Sequence, residues 1–173
     1  MQQTPLSQSQ HALVLDAPEK TTALGETLAR QARIGDVYLL DGPIGAGKSH
    51  LARAFLRELM RQGGGAVEDI PSPTFTLVQT YDTALGEIWH ADLYRLSNTL
   101  DVMELGLYDA FEDAVCLIEW PDRLGDDAPK NALTLSLQAL EETEGRLVTL
   151  TSSEPEWAHR IGDILGHMND TLT

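Results

Sequence analysis

The 173-residue chain is poor in cysteine and in basic residues, with one Cys and 12 Lys and Arg against 27 Asp and Glu. The single cysteine, Cys116, excludes an intrachain disulfide, and its place in an apolar run favours a buried small side chain over a reactive thiol. The formal net charge of -15 repels polyanions, so we expect no tight direct binding of nucleic acid by the chain alone.

Long apolar segments are also missing, since no run approaches the roughly 20 residues that a membrane span needs. The start, Met1–Pro5, has neither the basic residues nor the apolar stretch of a secretory signal. The composition, 42% hydrophobic and 23% charged, is typical of a globular domain. These features predict a cytoplasmic protein without a membrane segment, with a disordered tail over residues 1–10 and one folded domain over residues 11–170.

The stretch Gly42–Ser49 reads GPIGAGKS and fits G-x-x-x-x-G-K-[ST], the phosphate-binding P-loop pattern. Its glycines tolerate positive φ and add no Cβ bulk, so the backbone N–H groups can converge on a phosphate at the start of the next helix. In this pattern Lys48 reaches the β- and γ-phosphates and the Ser49 hydroxyl binds Mg²⁺. The motif therefore predicts a nucleotide site.

The segments around this loop have the strand–loop–helix order that the motif requires. Residues 36–41 are predicted to form a buried strand, and residues 49–61 a helix with one apolar face. Hydrophobic periodicity predicts further strands at 11–15, 76–81, 87–93, 114–118, 131–139 and 146–152, and helices at about 18–32, 98–105, 108–112 and 154–168. Asp16 and Glu19 have the spacing of a capping box, and residues 122–130 are predicted to be a polar loop. The predicted fold is α/β, a single P-loop NTPase domain with a mixed, mostly central β-sheet flanked by helices.

Two carboxylates at predicted strand ends are candidates for the metal and the water. Glu119 ends the most apolar strand, where a P-loop NTPase places its second metal ligand, and the alternative is a strand-end carboxylate facing solvent. Asp92 could orient the attacking water or lie in the outer shell of the metal. His90, two residues before Asp92, is expected to be a hydrogen-bonded structural histidine, and Arg95 could contact a phosphate or pair with an acid.

The Pro-rich segment after the P-loop helix is a candidate switch. Pro71 and Pro73 forbid a regular helix, and Ser72 and Thr74 lie in the extended stretch that they enforce. In nucleotide switches a Ser or Thr in such a loop senses the γ-phosphate. The alternative is a plain turn, because Ser-Pro-Thr is common in turns.

Four motifs together resemble one known family. They are GPIGAGKS from Gly42, SPTFTLVQTY from Ser72, HADLYRL from His90 and LIEW from Leu117, in the order and spacing of that family. On these motifs the chain resembles the TsaE (YjeE) family, the ATPase component of the bacterial machinery that makes threonylcarbamoyladenosine next to the tRNA anticodon. The likeness covers about Ala17 to Ser152.

The resemblance implies ATP or ADP and Mg²⁺ as ligands, and ATP hydrolysis that supports the TsaB and TsaD proteins as partners. In this family the glutamate before tryptophan helps to hold Mg²⁺, and the aspartate of His-x-Asp-x-Tyr-Arg is needed for activity. A threonine of the first helix lies near the base, and the threonine of Ser-Pro-Thr lies in a switch-like loop. We therefore predict catalytic roles for Asp92, Thr74 and Lys48, nucleotide contacts from Thr21, Gly45, Ala46, Gly47, Lys48, Ser49 and His50, and metal ligation by Ser49 and Glu119.

The chain departs from the family pattern at three places in the P-loop. Pro43-Ile44 stands where Asp-Leu is usual, Ser49 replaces the usual Thr, and His50 replaces a small hydroxyl residue. Serine is a competent Mg²⁺ ligand, so we expect metal binding to be retained. Pro43 and His50 can alter affinity or nucleotide preference.

Three other functions remain open from the residues alone. A small-molecule P-loop kinase needs arginines in a lid, and the region from Pro121 to Lys130 offers only Arg123. A GTP-dependent switch commonly carries Asn-Lys-x-Asp, which the chain lacks. A structural subunit would bind nucleotide without turnover. Arg95 is the only arginine inside a candidate motif, so we expect slow turnover until a partner binds, since an arginine supplied in trans can raise turnover by roughly 10³–10⁵.

Overall fold

The computed structural model of the chain describes residues 8–67 and 69–172. One mixed sheet contains β1 (Ser9–Leu15), β2 (Val37–Asp41), β3 (Val78–Thr83), β4 (Gly86–Asp92), β5 (Val115–Glu119), β6 (Leu133–Ala139) and β7 (Arg146–Ser152). The helices that flank it are α1 (Pro18–Gln31), α2 (Lys48–Gln62), α3 (Thr99–Met103), α4 (Leu107–Asp113) and α5 (Pro155–Leu172).

The order of the strands is β1-β7-β6-β2-β5-β4-β3. The central strands β6, β2, β5 and β4 run parallel to one another, whereas β3 pairs with β4, β7 with β6 and β1 with β7 in antiparallel fashion. Parallel strands are covered by helices on both faces, which explains why β2 and β5 are almost continuously apolar and buried. The predicted α/β fold with a mixed central sheet and two hairpins is confirmed.

Alternation along β2 divides the core into two clusters, one on each face of the sheet. Tyr38 and Leu40 belong to the cluster that packs against α1, α2 and α5, whereas Val37 and Leu39 belong to the cluster that packs against α3 and α4. Helices α1 and α2 approach closely at Gly25, where an added Cβ would lie 2.8 Å from the Cβ of Ala54. Helix α2, which follows the P-loop, is therefore packed between α1 and the sheet.

The structure differs from the sequence-based expectations at three local points. Strand β1 begins at Ser9, so the last residues of the predicted disordered tail are paired with β7, and residues 1–7 lie outside the described part of the chain. The predicted capping box is wrong, because the Asp16 carboxylate pairs with Lys20 Nζ at 2.6 Å and Ala17 is the N-cap. The predicted polar loop contains a 3-10 helix over Pro121–Asp127, since proline suits a first helical turn.

Parallel strands bring three chain segments to one edge of the sheet. Leu40 of β2 pairs with Glu119 of β5, and Asp92 of β4 pairs with the same Glu119, so these strands end side by side. The P-loop follows β2 directly, which places it at the carboxyl edge where ligands bind in open α/β sheets. None of the helices in the described part of the chain has the length and apolarity of a membrane span.

Candidate nucleotide-binding site

The P-loop backbone takes a shape that its glycines permit. Gly42, Gly45 and Gly47 have φ angles of 144°, 79° and 105°, a region that side-chain-bearing residues rarely adopt. A Cβ on Gly42 would also lie 2.5 Å from the Leu137 carbonyl oxygen of β6. The dihedral angles thus favour glycine at all three positions, and close packing also requires it at Gly42.

Lys48, the P-loop lysine, is folded back on its own loop. Its Nζ donates to the carbonyl oxygens of Gly42 at 2.5 Å and Pro43 at 2.9 Å, and only 5% of the residue is exposed. Burial lowers the pKa of Lys48, and the nearby carboxylates of Glu119, Asp41 and Asp92 act in the opposite direction. The Nζ also lies 4.2 Å from the ring centroid of Trp120, a cation–π distance.

Glu119 connects the P-loop helix to β4. Its Oε1 accepts a hydrogen bond of 2.8 Å from the Ser49 hydroxyl, and its Oε2 lies 2.8 Å from His90 Nε2. Only 2% of Glu119 is exposed, so it is no solvent-facing strand end. His90 is fully buried, and its other ring nitrogen, Nδ1, has no hydrogen-bond partner among the described residues. The expectation of a hydrogen-bonded structural histidine agrees with this geometry.

Asp92 joins the Pro-rich loop to the end of β4. Its Oδ2 accepts from the Thr74 hydroxyl at 3.3 Å, and its Oδ1 accepts from the Tyr94 N–H at 3.0 Å. Ser72 Oγ lies 2.9 Å from Thr74 Oγ1. Phe75, next to Thr74, is 82% exposed. The loop is therefore tethered to the site by Thr74, while its apolar neighbour faces outward.

One cavity of about 410 Å³ brings most of the predicted site residues together. Its walls include Gly45, Gly47, Lys48, Ser49, His50, Thr74, Asp92 and Glu119. Ala46 is not on its wall, because its side chain is 1% exposed and its N–H donates to the Pro43 carbonyl. Thr21 lines an adjoining cavity on the α1 side of the loop. Gly47 and His50 line both cavities and separate one from the other.

The same cavity contains residues that the sequence analysis did not assign to it. Tyr94 and Trp120 line it, with ring centroids 4.8 Å apart, and Trp120 holds a left-handed backbone with a φ of 59°. Arg53 also lines the cavity. It lies four residues after Ser49 on α2, so the helical period could have predicted that both side chains are on the same face. Within the described residues the Arg53 side chain has no ion pair or hydrogen bond.

Two arginines considered from the sequence lie elsewhere. The Arg95 guanidinium is 5.2 Å from the ring centroid of Phe75 and does not line the cavity. Arg123 Nη1 pairs with Asp122 at 2.8 Å, and its Nη2 donates to the Tyr94 carbonyl at 3.4 Å. Arg95, which lies inside a candidate motif of the sequence, is thus found beside Phe75 of the Pro-rich loop and not on the wall of the cavity.

His50 lies where α1, α2 and β7 meet. Its Nε2 is 2.7 Å from the Thr22 hydroxyl. Burial lowers the pKa of His50, and the positive charges of Arg53, Arg146 and Arg57 lower it further. A neutral imidazole is therefore favoured beside the P-loop, and the surrounding arginines give this part of an acidic chain a local positive charge.

The donor set fits a nucleotide with magnesium. The lysine ammonium, the positive-φ loop and the start of α2 are suited to phosphate, while the Ser49 hydroxyl and the Glu119 carboxylate are hard oxygen ligands of the kind that Mg²⁺ prefers. No cluster of three or more His, Cys, Asp or Glu side chains positioned for a metal occurs within residues 8–67 and 69–172. A metal here would complete its shell with phosphate oxygens and water, as Mg²⁺ usually does.

Comparisons with known proteins agree on one family. Residues 15–148 match the family described as "Threonylcarbamoyl adenosine biosynthesis protein TsaE". The TsaE protein of Rickettsia felis is 35% identical over 82% of this chain and 80% of its own, and that of Bacillus subtilis is 32% identical over 78% and 81%. The crystal structure of Bacillus subtilis YdiB superposes with a TM-score of 0.75 and 26% identity, covering 93% of this chain and 97% of that one.

Proposed function

Because the chain belongs to the TsaE family, we propose that it binds and hydrolyses Mg–ATP in support of a TsaB–TsaD complex that makes threonylcarbamoyladenosine on tRNA. The relatives are named tRNA threonylcarbamoyladenosine biosynthesis proteins, which supports the pathway. The observation that carries the ATPase activity is the single cavity shared by Lys48, Ser49, Glu119, Thr74 and Asp92.

Each of these side chains has a distinct task in hydrolysis. Lys48 exchanges the Gly42 and Pro43 carbonyls for β- and γ-phosphate oxygens, which are stronger acceptors because they are charged. Ser49 and Glu119 would hold Mg²⁺, and this ion would neutralise charge that develops on the phosphates. His90, bound to the far carboxylate oxygen, keeps Glu119 oriented toward Ser49.

In this proposal Asp92 and Thr74 would orient the attacking water. Thr74 Oγ1 is 3.3 Å from Asp92 Oδ2, a long hydrogen bond for two oxygens, so the pair is only loosely engaged. Phe75 is 82% exposed beside it, and a partner that covers this ring would also press Thr74 onto the site. Positioning of this kind is worth large rate factors, so turnover is slow for the lone chain and rises on docking.

The charge of the chain agrees with a protein partner. At a net charge of -15 the chain repels the tRNA backbone, so the TsaB–TsaD pair and not the tRNA is its docking surface. The Arg123 contacts with Asp122 and Tyr94 give no support to a kinase lid, because the guanidinium is already engaged. A small-molecule kinase is therefore the weaker account of the site.

Phosphate release from Mg–ATP, with and without the TsaB–TsaD pair at fixed salt, tests the proposal. We expect the pair to raise the rate, and Thr74→Ala or Asp92→Asn to keep nucleotide affinity but lose that increase. Thr76→Ala is the matched control, since Thr76 is an exposed hydroxyl of the same segment. A lone chain as fast as the mixture would indicate an independent ATPase, and a mixture that releases no phosphate would indicate a subunit without turnover.

A further inference from the structure

Arg146 holds the P-loop from outside the nucleotide cavity. It is the first residue of β7 and belongs to none of the motifs that define the resemblance. Its Nε donates to the Ala46 carbonyl at 2.8 Å and its Nη2 to the Gly45 carbonyl at 3.3 Å. Its Nη1 donates to the carbonyls of Gly145 at 2.8 Å and Glu144 at 3.2 Å. One guanidinium therefore joins the P-loop to the β6–β7 turn.

We propose that Arg146 is a positioning residue that keeps the P-loop in its phosphate-binding shape, an inference that rests on the proposed nucleotide site. A trans peptide directs its C=O and N–H to opposite sides. Because the Ala46 carbonyl is held by Arg146, the Gly47 N–H of the same peptide points away from the guanidinium. Arg146 thus sets the direction of an N–H at the start of α2, where phosphates bind.

Lys48 and Arg146 donate hydrogen bonds to different carbonyl groups of the P-loop. Lys48 Nζ occupies those of Gly42 and Pro43, and Arg146 occupies those of Gly45 and Ala46. When Lys48 turns to the phosphates, it releases its two carbonyls, whereas the Arg146 contacts do not depend on Lys48. The loop therefore relies on Arg146 while nucleotide is bound.

The base of this support is tightly packed. A Cβ on Gly47 would lie 3.5 Å from Arg146 Nε and 3.7 Å from a Leu137 methyl group, so the loop rests on the hairpin. Gly145, next to Arg146, is buried, and a Cβ there would lie 2.8 Å from the Leu15 carbonyl oxygen. The guanidinium is thus carried by a part of the chain that cannot shift easily. Its planar fork matches several carbonyls at once, which a lysine ammonium does less well.

The competing role is direct contact with the nucleoside, because Arg146 also lines the cavity beside Thr21 and His50. Titration calorimetry with Mg–ATP, Mg–ADP and Mg–pyrophosphate separates the two roles, using Arg146→Met and Arg146→Lys. The control is Arg33→Met, whose guanidinium pairs with Glu156 on the surface away from the loop. If Arg146 acts through the loop, Arg146→Met weakens all three ligands by the same factor, about tenfold or more. A loss for the two nucleotides with unchanged pyrophosphate affinity would overturn the proposal in favour of nucleoside contact.

Amide hydrogen exchange of the protein without nucleotide gives a readout that does not depend on ligand binding. We expect faster amide exchange over residues 42–47 in Arg146→Met, whereas exchange in the central strands β2 and β5 should stay unchanged. Arg146→Lys should show a smaller acceleration, and it carries the test if the methionine variant folds poorly. Exchange over residues 42–47 equal to wild type in Arg146→Lys and Arg146→Met would contradict the proposal. Failure of the proposed nucleotide site would give a different result, namely unchanged nucleotide affinity in Lys48→Ala.

Discussion

The Ser49 hydroxyl donates to Glu119 Oε1 at 2.8 Å, which joins the first residues of α2 to the end of β5. In the proposed function these two groups would hold Mg²⁺, and here they contact each other directly. The contact keeps both oxygens in place at a buried position, since Glu119 is 2% exposed. Under the proposed function, Mg²⁺ would take the place of this hydrogen bond between two groups that already lie close together.

Replacement of Lys48 by alanine should strongly weaken nucleotide binding without unfolding the chain. The lysine supplies charge-assisted hydrogen bonds to phosphate, worth about 1.5–3 kcal/mol, so affinity should fall by about tenfold or more. Calorimetric titration with Mg–ADP measures the loss, and circular dichroism checks the fold. Lys130→Ala is the control, because Lys130 is exposed. Unchanged affinity in Lys48→Ala would disprove the P-loop assignment.

Replacement of Glu119 by glutamine should impair Mg²⁺-dependent hydrolysis more than nucleotide binding. Glutamine keeps the size and one acceptor oxygen for Ser49, but it lacks the charge that a hard cation prefers. The rate of phosphate release should therefore shift to higher Mg²⁺ concentration in a Mg²⁺ titration at fixed ATP. The exposed Glu141→Gln serves as control. A normal rate at limiting Mg²⁺ would assign Glu119 a purely structural role.

Trp120 should report nucleotide binding by its fluorescence. Its ring lies 4.2 Å from Lys48 Nζ, and movement of this charge toward the phosphates changes the field at the indole. We expect the emission to change on addition of Mg–ADP, and the change to disappear in Trp120→Phe. Trp89 and Trp157 are internal controls, since their indole N–H groups are held by Glu87 and Asn131. A signal that survives Trp120→Phe would show that another tryptophan senses the ligand.

The pair between Arg160 and Asp36 should anchor the last helix. Arg160 Nη1 and Nη2 contact the two Asp36 oxygens at 2.8 Å and 2.5 Å, and their side chains are 8% and 11% exposed. Arg160→Met leaves a buried carboxylate unpaired, so it should lower the free energy of unfolding by about 3–5 kcal/mol. Denaturant unfolding measures this change.

A matched surface pair separates the effect of burial from that of charge. The Arg33–Glu156 pair has a similar contact at 2.6 Å, but its side chains are 63% and 67% exposed. Arg33→Met should therefore change stability by less than about 1 kcal/mol. Equal effects of the two substitutions would show that Asp36 is relieved by solvent after Arg160 is removed. The double variant of Arg160→Met with Asp36→Asn should recover part of the loss, because no unpaired charge remains.

The sequence could predict those parts of the site that are encoded locally. The P-loop, β2, α2 and β5 follow from glycine positions and apolar periodicity within a few residues, and Glu119 follows from its place at a strand end. Arg146 could not be predicted in this way, because its contact with Ala46 joins residues 100 positions apart and depends on how the β6–β7 hairpin packs. The capping box failed for a different and local reason, since the Asp16 carboxylate pairs with Lys20 four residues later and Ala17 is the N-cap.

The pairing of β1 with β7 has a consequence for folding of the chain during its synthesis on the ribosome. Their register joins Ser9 to Ser152, so the first strand cannot pair with β7 until residues 146–152 have emerged. Chains are made from the amino end, so a contact between distant segments must wait until the later segment has been made. Arg146 is part of β7, so its hydrogen bond to the Ala46 carbonyl of the P-loop cannot form until β7 has been synthesised. A nascent chain truncated before β7 thus carries the whole phosphate-binding motif but lacks the brace for its loop.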